Sequence, residues 1–256
     1  MPNERVVDET ACEANSNADR RFAGVARLYG EDAFAAFGRA TVVVIGLGGV
    51  GSWAAEALAR SAVGHLVLVD FDHIAPSNVN RQLHAIEGSF GKAKVAVMAE
   101  RLQAINPSIT ITIHDQFAEP GNLDQIIQKG SFVLDACDDV SAKVGLADFC
   151  RRHQISLVMC GGAGGKIDPT RIQIADLSKT TQDPLLAKIR AQLRKNHSFC
   201  RDLKKSMGIQ AVYSSEARRG IASGGLECSG YGSGVTVTAA FGFAAAASCL
   251  AQIANS

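Results

Sequence analysis

The hydrophobic positions of this chain fall into short unbroken runs separated by stretches with helical spacing. TVVVIG at 41–46 and HLVLVD at 65–70 are continuous and β-branched, as strands buried on both faces of a parallel sheet are. ITITIHD (109–115), SFVLDAC (131–137) and ISLVMC (155–160) add three more strands. Between these runs, 50–60, 92–105, LDQIIQK at 123–129 and 141–153 read as helices, the second stopped at Asn106-Pro107. Ahead of the first strand, Phe22, Val25, Leu28, Phe34 and Phe37 space a single entry helix from Arg21 to Phe37, ended near Gly38. This alternation predicts a Rossmann-like, doubly wound α/β fold with a mainly parallel sheet.

Past residue 160 the pattern changes. GGAGGKIDPT (161–170) is loop, RIQIAD (171–176) alternates like a half-exposed strand, and Pro184 to Lys195 reads as a basic helix, so a mixed C-terminal extension is expected. Residues 233–254 are uncharged and about long enough to span a bilayer. They are rich in Ala, Gly, Ser and Thr and lack a basic C-terminal flank, which predicts a closely packed internal helix and no stable membrane insertion. Residues 1–20 are polar and aperiodic, without the apolar stretch of a signal peptide, and read as a disordered tail. The expected organisation is that tail, a nucleotide-binding domain over 21–180, and a segment over 181–256 that completes the same domain.

At 256 residues and 47% hydrophobic content the chain can bury one substantial core. Its 26 basic and 25 acidic residues nearly cancel, so net charge selects no partner class. Seven cysteines without a C-x-x-C pair read as reduced thiols of a cytoplasmic protein and exclude a tetrathiolate zinc site.

Chemistry enters at the turn after the first strand. Gly46-x-Gly48-x-x-Gly51 joins a buried strand to a helix, where backbone N–H groups and the helix dipole hold phosphate. Asp70, about 20 residues on at the end of the second strand, is placed to accept from ribose hydroxyls, which leaves NAD, FAD and ATP all open. The segment from Asp72 through Ser77-Asn78-Val79-Asn80-Arg81-Gln82 to Gly91-Lys92-Ala93-Lys94 separates them. A nicotinamide site has no use for Arg81 and Lys94 just past the ribose carboxylate, whereas a triphosphate needs fixed cations. Asp135-Ala136-Cys137-Asp138-Asp139 then ends a strand, where a carboxylate can hold Mg²⁺ on phosphate oxygens. Taken singly, Asn78 also suits a turn, Arg81 and Lys94 a solvated surface, and Asp138 a helix N-cap. In this order behind a glycine loop they argue together for ATP.

GLGGVGS, DFD, SNVNRQ, GKAK and DACDD, in this order and spacing, resemble the adenylating domain of the ThiF/MoeB family, relatives of ubiquitin-activating enzymes, over about residues 21 to 175. The resemblance implies that Gly49 lies against the phosphates, Asp70 binds ribose, Asn78 and Arg81 contact the triphosphate, Lys94 stabilises the reacting phosphate and Asp138 orients Mg²⁺. It also implies a homodimer. Some relatives deliver an arginine across that dimer from the position held here by Gly24, so Arg21 or Arg27 is expected to substitute. The GGAGGKIDPT segment, ADLSKTTQDPLLAKIR and ECSGYGSGVTVTAAFGF are similar to one branch, the tRNA threonylcarbamoyladenosine dehydratases. That likeness implies ATP-dependent cyclisation: the threonyl carboxylate is adenylated, and the neighbouring carbamoyl oxygen then closes a ring and expels AMP. The alternative within the family is adenylation of a small sulfur-carrier protein. The basic residues Lys188, Arg190, Arg194, Lys195, Arg201, Lys204, Lys205, Arg218 and Arg219 supply the charge a tRNA partner needs, and also suit a solvated face. A cysteine desulfurase or sulfur-acceptor system is a further partner that the resemblance allows, while Cys228 is expected to be structural because dehydration needs no sulfur.

Overall fold

The computed structural model describes residues 20–202, 205–219 and 231–256. The tail before residue 20, Lys204 and Cys228 therefore lie outside the described residues. The five strands read from the sequence are β1 (Thr41–Ile45), β2 (His65–Val69), β3 (Thr110–His114), β4 (Phe132–Asp135) and β5 (Ser156–Cys160). With β6 (Ile172–Asp176) and β7 (Gln210–Ser214) they form one seven-stranded sheet in the order β3-β2-β1-β4-β5-β7-β6. All neighbours run parallel except the antiparallel β6–β7 pair.

Helices cover both faces because β1, β4 and β5 are apolar on both. One core joins Val42, Val44, Leu66, Leu68 and Leu134 to α2 (Glu31–Arg39), α3 (Gly51–Arg60), α4 (Lys94–Ile105) and α8 (Val235–Ala254). The other joins Val43, Ile45, Val133 and Met159 to α5 (Leu123–Ile126), α6 (Val140–His153) and α7 (Pro184–Asn196). Helix α8 is long and apolar enough to cross a membrane, with a mean hydropathy of 1.6, yet Val237, Phe241, Ala245, Cys249 and Ile253 are buried in the first core. Its small residues permit this: a β-carbon at Gly242 would come within 3.0 Å of Ala54 N on α3.

Three expectations are corrected. The entry helix is two, α1 (20–29) and α2, broken at Gly30, whose φ of 87° is left-handed backbone that favours glycine. The 131–137 strand stops at Asp135, because the next residues turn out of the sheet to form the site. Strand β7 has no counterpart in the sequence reading, which takes that region only as a basic segment. Its short, mixed QAVYS run lies inside the sheet, between β5 and β6.

Candidate active site

The sheet order sets the location. From β1 the chain builds outward through β2 and β3, then returns to place β4 on the other side, so the loops after β1 and β4 diverge at a topological switch point. A cavity of about 680 Å³ opens there at the carboxyl ends of the strands, large enough for a nucleotide and part of a second substrate. Gly46, Gly48, Gly49, Asp70, Asp72, Arg81, Lys94 and Asp138 all line it.

The β1 loop is built so that backbone alone occupies its centre. Gly46 has φ 84°, and a β-carbon there would meet Cys137 N at 2.9 Å. Gly51 starts α3 below the cavity, where a β-carbon would overlap Gly46 O. Gly48 faces open space and leaves the N-terminal end of α3 accessible to phosphate.

Asp70 is anchored from both sides: its Oδ2 accepts from Leu47 N at 2.6 Å and its Oδ1 from Asp72 N at 2.8 Å. Burial raises its pKa above the ordinary carboxylate value, opposed by Lys94 and by these two N–H groups. Lys94 sits at the start of α4, only 4% exposed, with its ammonium 2.7 Å from Asp72 Oδ2 and 3.7 Å from Asp70 Oδ1. Arg81 is fixed by its backbone, whose carbonyl accepts from Trp53 Nε1 at 2.9 Å. Its guanidinium donates to Ser77 O and Asn80 Oδ1, and its stem lies across Gly49.

Asp138 and Asp139 divide two tasks. Both line the cavity, but Asp139 caps α6, its Oδ1 accepting from Ala142 N at 2.7 Å, while Asp138 makes no such cap. Among the described residues no group of three His, Cys, Asp or Glu side chains could hold a metal. A single carboxylate suits Mg²⁺, which keeps several waters and binds through one or two carboxylates plus substrate phosphates. Cys137 beside it is not a thiolate, since burial and the Asp135 charge push its pKa well up.

Asn78, expected at the triphosphate, supports the segment that carries Arg81. It does not line the cavity, and its Oδ1 accepts from Ala75 N at 3.0 Å, closing the short helical turn Pro76–Asn78 that carries Arg81 into place. Arg21 and Arg27 are exposed on α1, away from this cavity. In the basic segment, Lys188, Lys195, Arg201 and Lys205 are exposed, while Arg190 turns inward to Leu177 O and Thr180 Oγ1.

Two features of the cavity wall go beyond the sequence reading, which uses GGAGGKIDPT only as a loop and to choose the branch and gives Phe71 and Phe117 no role. Phe71 and Phe117, half-exposed with ring centroids 5.0 Å apart, line the cavity beside Asp70. On the opposite wall, Gly161–Gly164 are held by buried polar groups: Asp183 Oδ2 accepts from Gly162 N, Lys166 Nζ donates to Ser214 O, and Glu216 Oε2 accepts from Ile167 N and Asp168 N. Their sequence signal is faint, because a lone Lys, Asp or Glu in polar surroundings reads as surface.

The ThiF family model matches residues 20–254. Two curated relatives, both tRNA threonylcarbamoyladenosine dehydratases, align over most of their own length. The Haemophilus influenzae protein is 46% identical over 89% of this chain and 90% of its own. That of Escherichia coli is 45% identical over 91% and 93%. Among solved structures, the E. coli tRNA N6-threonylcarbamoyladenosine dehydratase in complex with ATP superposes with a TM-score of 0.86 at 45% identity, covering 92% of this chain and 94% of that one.

Proposed function

This chain belongs to the ThiF family, and from that premise we propose that it dehydrates threonylcarbamoyladenosine in tRNA, using ATP to activate the threonyl carboxylate. The observation that carries the reading is the convergence of Asp70, Arg81, Lys94 and Asp138 on one cavity at the strand ends, opposite the glycine wall 161–164. The likeness to the two dehydratases, which extends over about nine tenths of each chain, selects the substrate within the family.

A carboxylate is a poor electrophile, and attaching AMP converts its oxygen into a leaving group. The carboxylate oxygen attacks the α-phosphorus and pyrophosphate departs. The neighbouring carbamoyl group then closes on the acyl carbon and expels AMP, so the net change in the nucleoside is loss of one water. Asp70 accepts from the ribose hydroxyls, the amides at the start of α3 hold phosphate, and Arg81 and Lys94 offset the charge that builds up on phosphate oxygens during displacement. Lys94 is already desolvated and its ammonium is held in place by Asp70 and Asp72, so the charge is fixed at the cavity before nucleotide binds. Asp138 would hold Mg²⁺, which supplies charge neutralisation on the triphosphate.

The exposed cations Lys188, Lys195, Arg201 and Lys205 are the proposed backbone contacts for tRNA, which position RNA without reading sequence. A homodimer would bring Arg21 or Arg27 of one protomer to the other's site. Such an enzyme works in the cytoplasm, and a cysteine desulfurase system is a further partner to test. The reading is tested by AMP release with three acceptors: modified tRNA, tRNA lacking the threonylcarbamoyl group, and a small protein with a Gly-Gly tail. Release with the first alone supports it. Release that ignores tRNA and requires the small protein overturns it.

A further inference from the structure

Below the cavity floor lies an ion pair that does not line the cavity. Lys143 on α6 and Asp135 at the end of β4 are both fully buried, with Nζ 2.8 Å from Oδ2. Burial alone would favour the neutral amine, yet Asp135 holds the ammonium above its ordinary pKa. Lys143 Nζ also donates to Cys160 O at 2.7 Å, and Asp135 Oδ1 accepts from Cys137 N at 3.2 Å and from the Cys137 thiol at 3.1 Å.

A buried pair of this kind is weak ground for stability. Desolvating two charges costs several kcal/mol per ion, and apolar residues of similar volume usually serve as well or better. What apolar residues cannot do is hold particular backbone groups. The groups held here are the amide of Cys137, next to Asp138, and the carbonyl of Cys160, next to Gly161. Cys137 also packs against Gly46 of the phosphate loop. The pair therefore holds the backbone beside both walls of the cavity and, through Cys137, backs the loop between them.

Building on the proposed activity, we propose that Lys143 and Asp135 are positioning residues for adenylation, a strut that fixes the loop carrying Asp138 against the wall Gly161–Gly164. Misplacing reacting groups by about 1 Å costs on the order of a hundredfold in rate. Nucleotide affinity depends on the separate contacts at Asp70 and the glycine loop, so the strut acts on kcat and leaves ATP binding nearly unchanged.

The test uses the full-length Asp135→Asn/Lys143→Met double variant, which removes both charges and strands neither. With modified tRNA, the double variant is expected to melt like the parent and bind ATP within a few-fold of it, with kcat for AMP formation lower by about a hundredfold. A purely structural pair would leave kcat at the parental value in a folded double variant, and that result overturns the proposal. If the double variant does not fold, the same split between kcat and ATP affinity is read in Asp135→Asn, which keeps the side-chain shape and one acceptor oxygen. Parental kcat in that variant likewise overturns the strut. The unsubstituted enzyme in the same assay separates the two claims, because absence of AMP there refutes the proposed function instead.

Discussion

The aliphatic stem of Arg81 crosses Gly49 so closely that a β-carbon on Gly49 would lie 2.9 Å from Arg81 Cγ and 3.1 Å from Cδ. The obstacle is a flexible side chain, so Gly49→Ala should fold and should push the guanidinium away from Ser77 O and Asn80 Oδ1. The expected outcome is a melting temperature near the parent's and AMP formation lower by about tenfold or more, in line with loss of an electrostatic stabiliser. Parental turnover in Gly49→Ala would remove Arg81 from the reaction.

Gly51→Ala should fail in the opposite way. Its β-carbon would overlap the backbone oxygen of Gly46, which cannot swing aside. We expect destabilisation of roughly 1–3 kcal/mol, typical of overpacking, read as an earlier transition in chemical denaturation.

Neighbouring carboxylates give a sharper contrast. Asp139→Ala removes the cap on Ala142 N and should cost about 1 kcal/mol of stability while keeping most turnover. Asp138→Ala should leave stability intact and reduce AMP formation by about a hundredfold or more. Parental turnover in Asp138→Ala would show that this carboxylate holds no metal.

At the far edge of the sheet, Asp176 gathers Ser178 N, Ser206 Oγ, Met207 N and Gly208 N. Burial opposes ionisation there, but these donors prevail and lower its pKa from 3.8 to about 2. A carboxyl with a depressed pKa in the folded state adds stability that is fully present above its unfolded value and is lost as pH falls. Asp176→Asn should therefore lose stability at neutral pH and should flatten the acid limb between about pH 4 and 2. Parallel acid limbs for parent and variant would contradict this.

Much of the fold was legible because its strands are buried on both faces. Val42–Ile45 and Leu66–Val69 carry apolar side chains at every position, a pattern few other structures tolerate. The phosphate loop was legible for a related reason, since close backbone approach demands glycine. Strand β7 was not, because its burial comes from neighbours brought in over long sequence distances and QAVYS itself looks ordinary. The Lys143–Asp135 pair is invisible for the same reason: a lysine in a helix reads as solvated until the strand ends close over it. Among the site residues, spacing told where Asn78 and Asp138 fall but not which of Asp138 and Asp139 caps α6. That choice is made by loop geometry after Asp135.

The most direct test of the account is mass analysis of nucleosides from tRNA bearing threonylcarbamoyladenosine, incubated with the full-length protein, ATP and Mg²⁺. The account predicts that the modified nucleoside becomes lighter by one water, with one AMP formed per nucleoside converted and no conversion without ATP. An unchanged nucleoside, in a preparation that binds ATP and is folded, would contradict it.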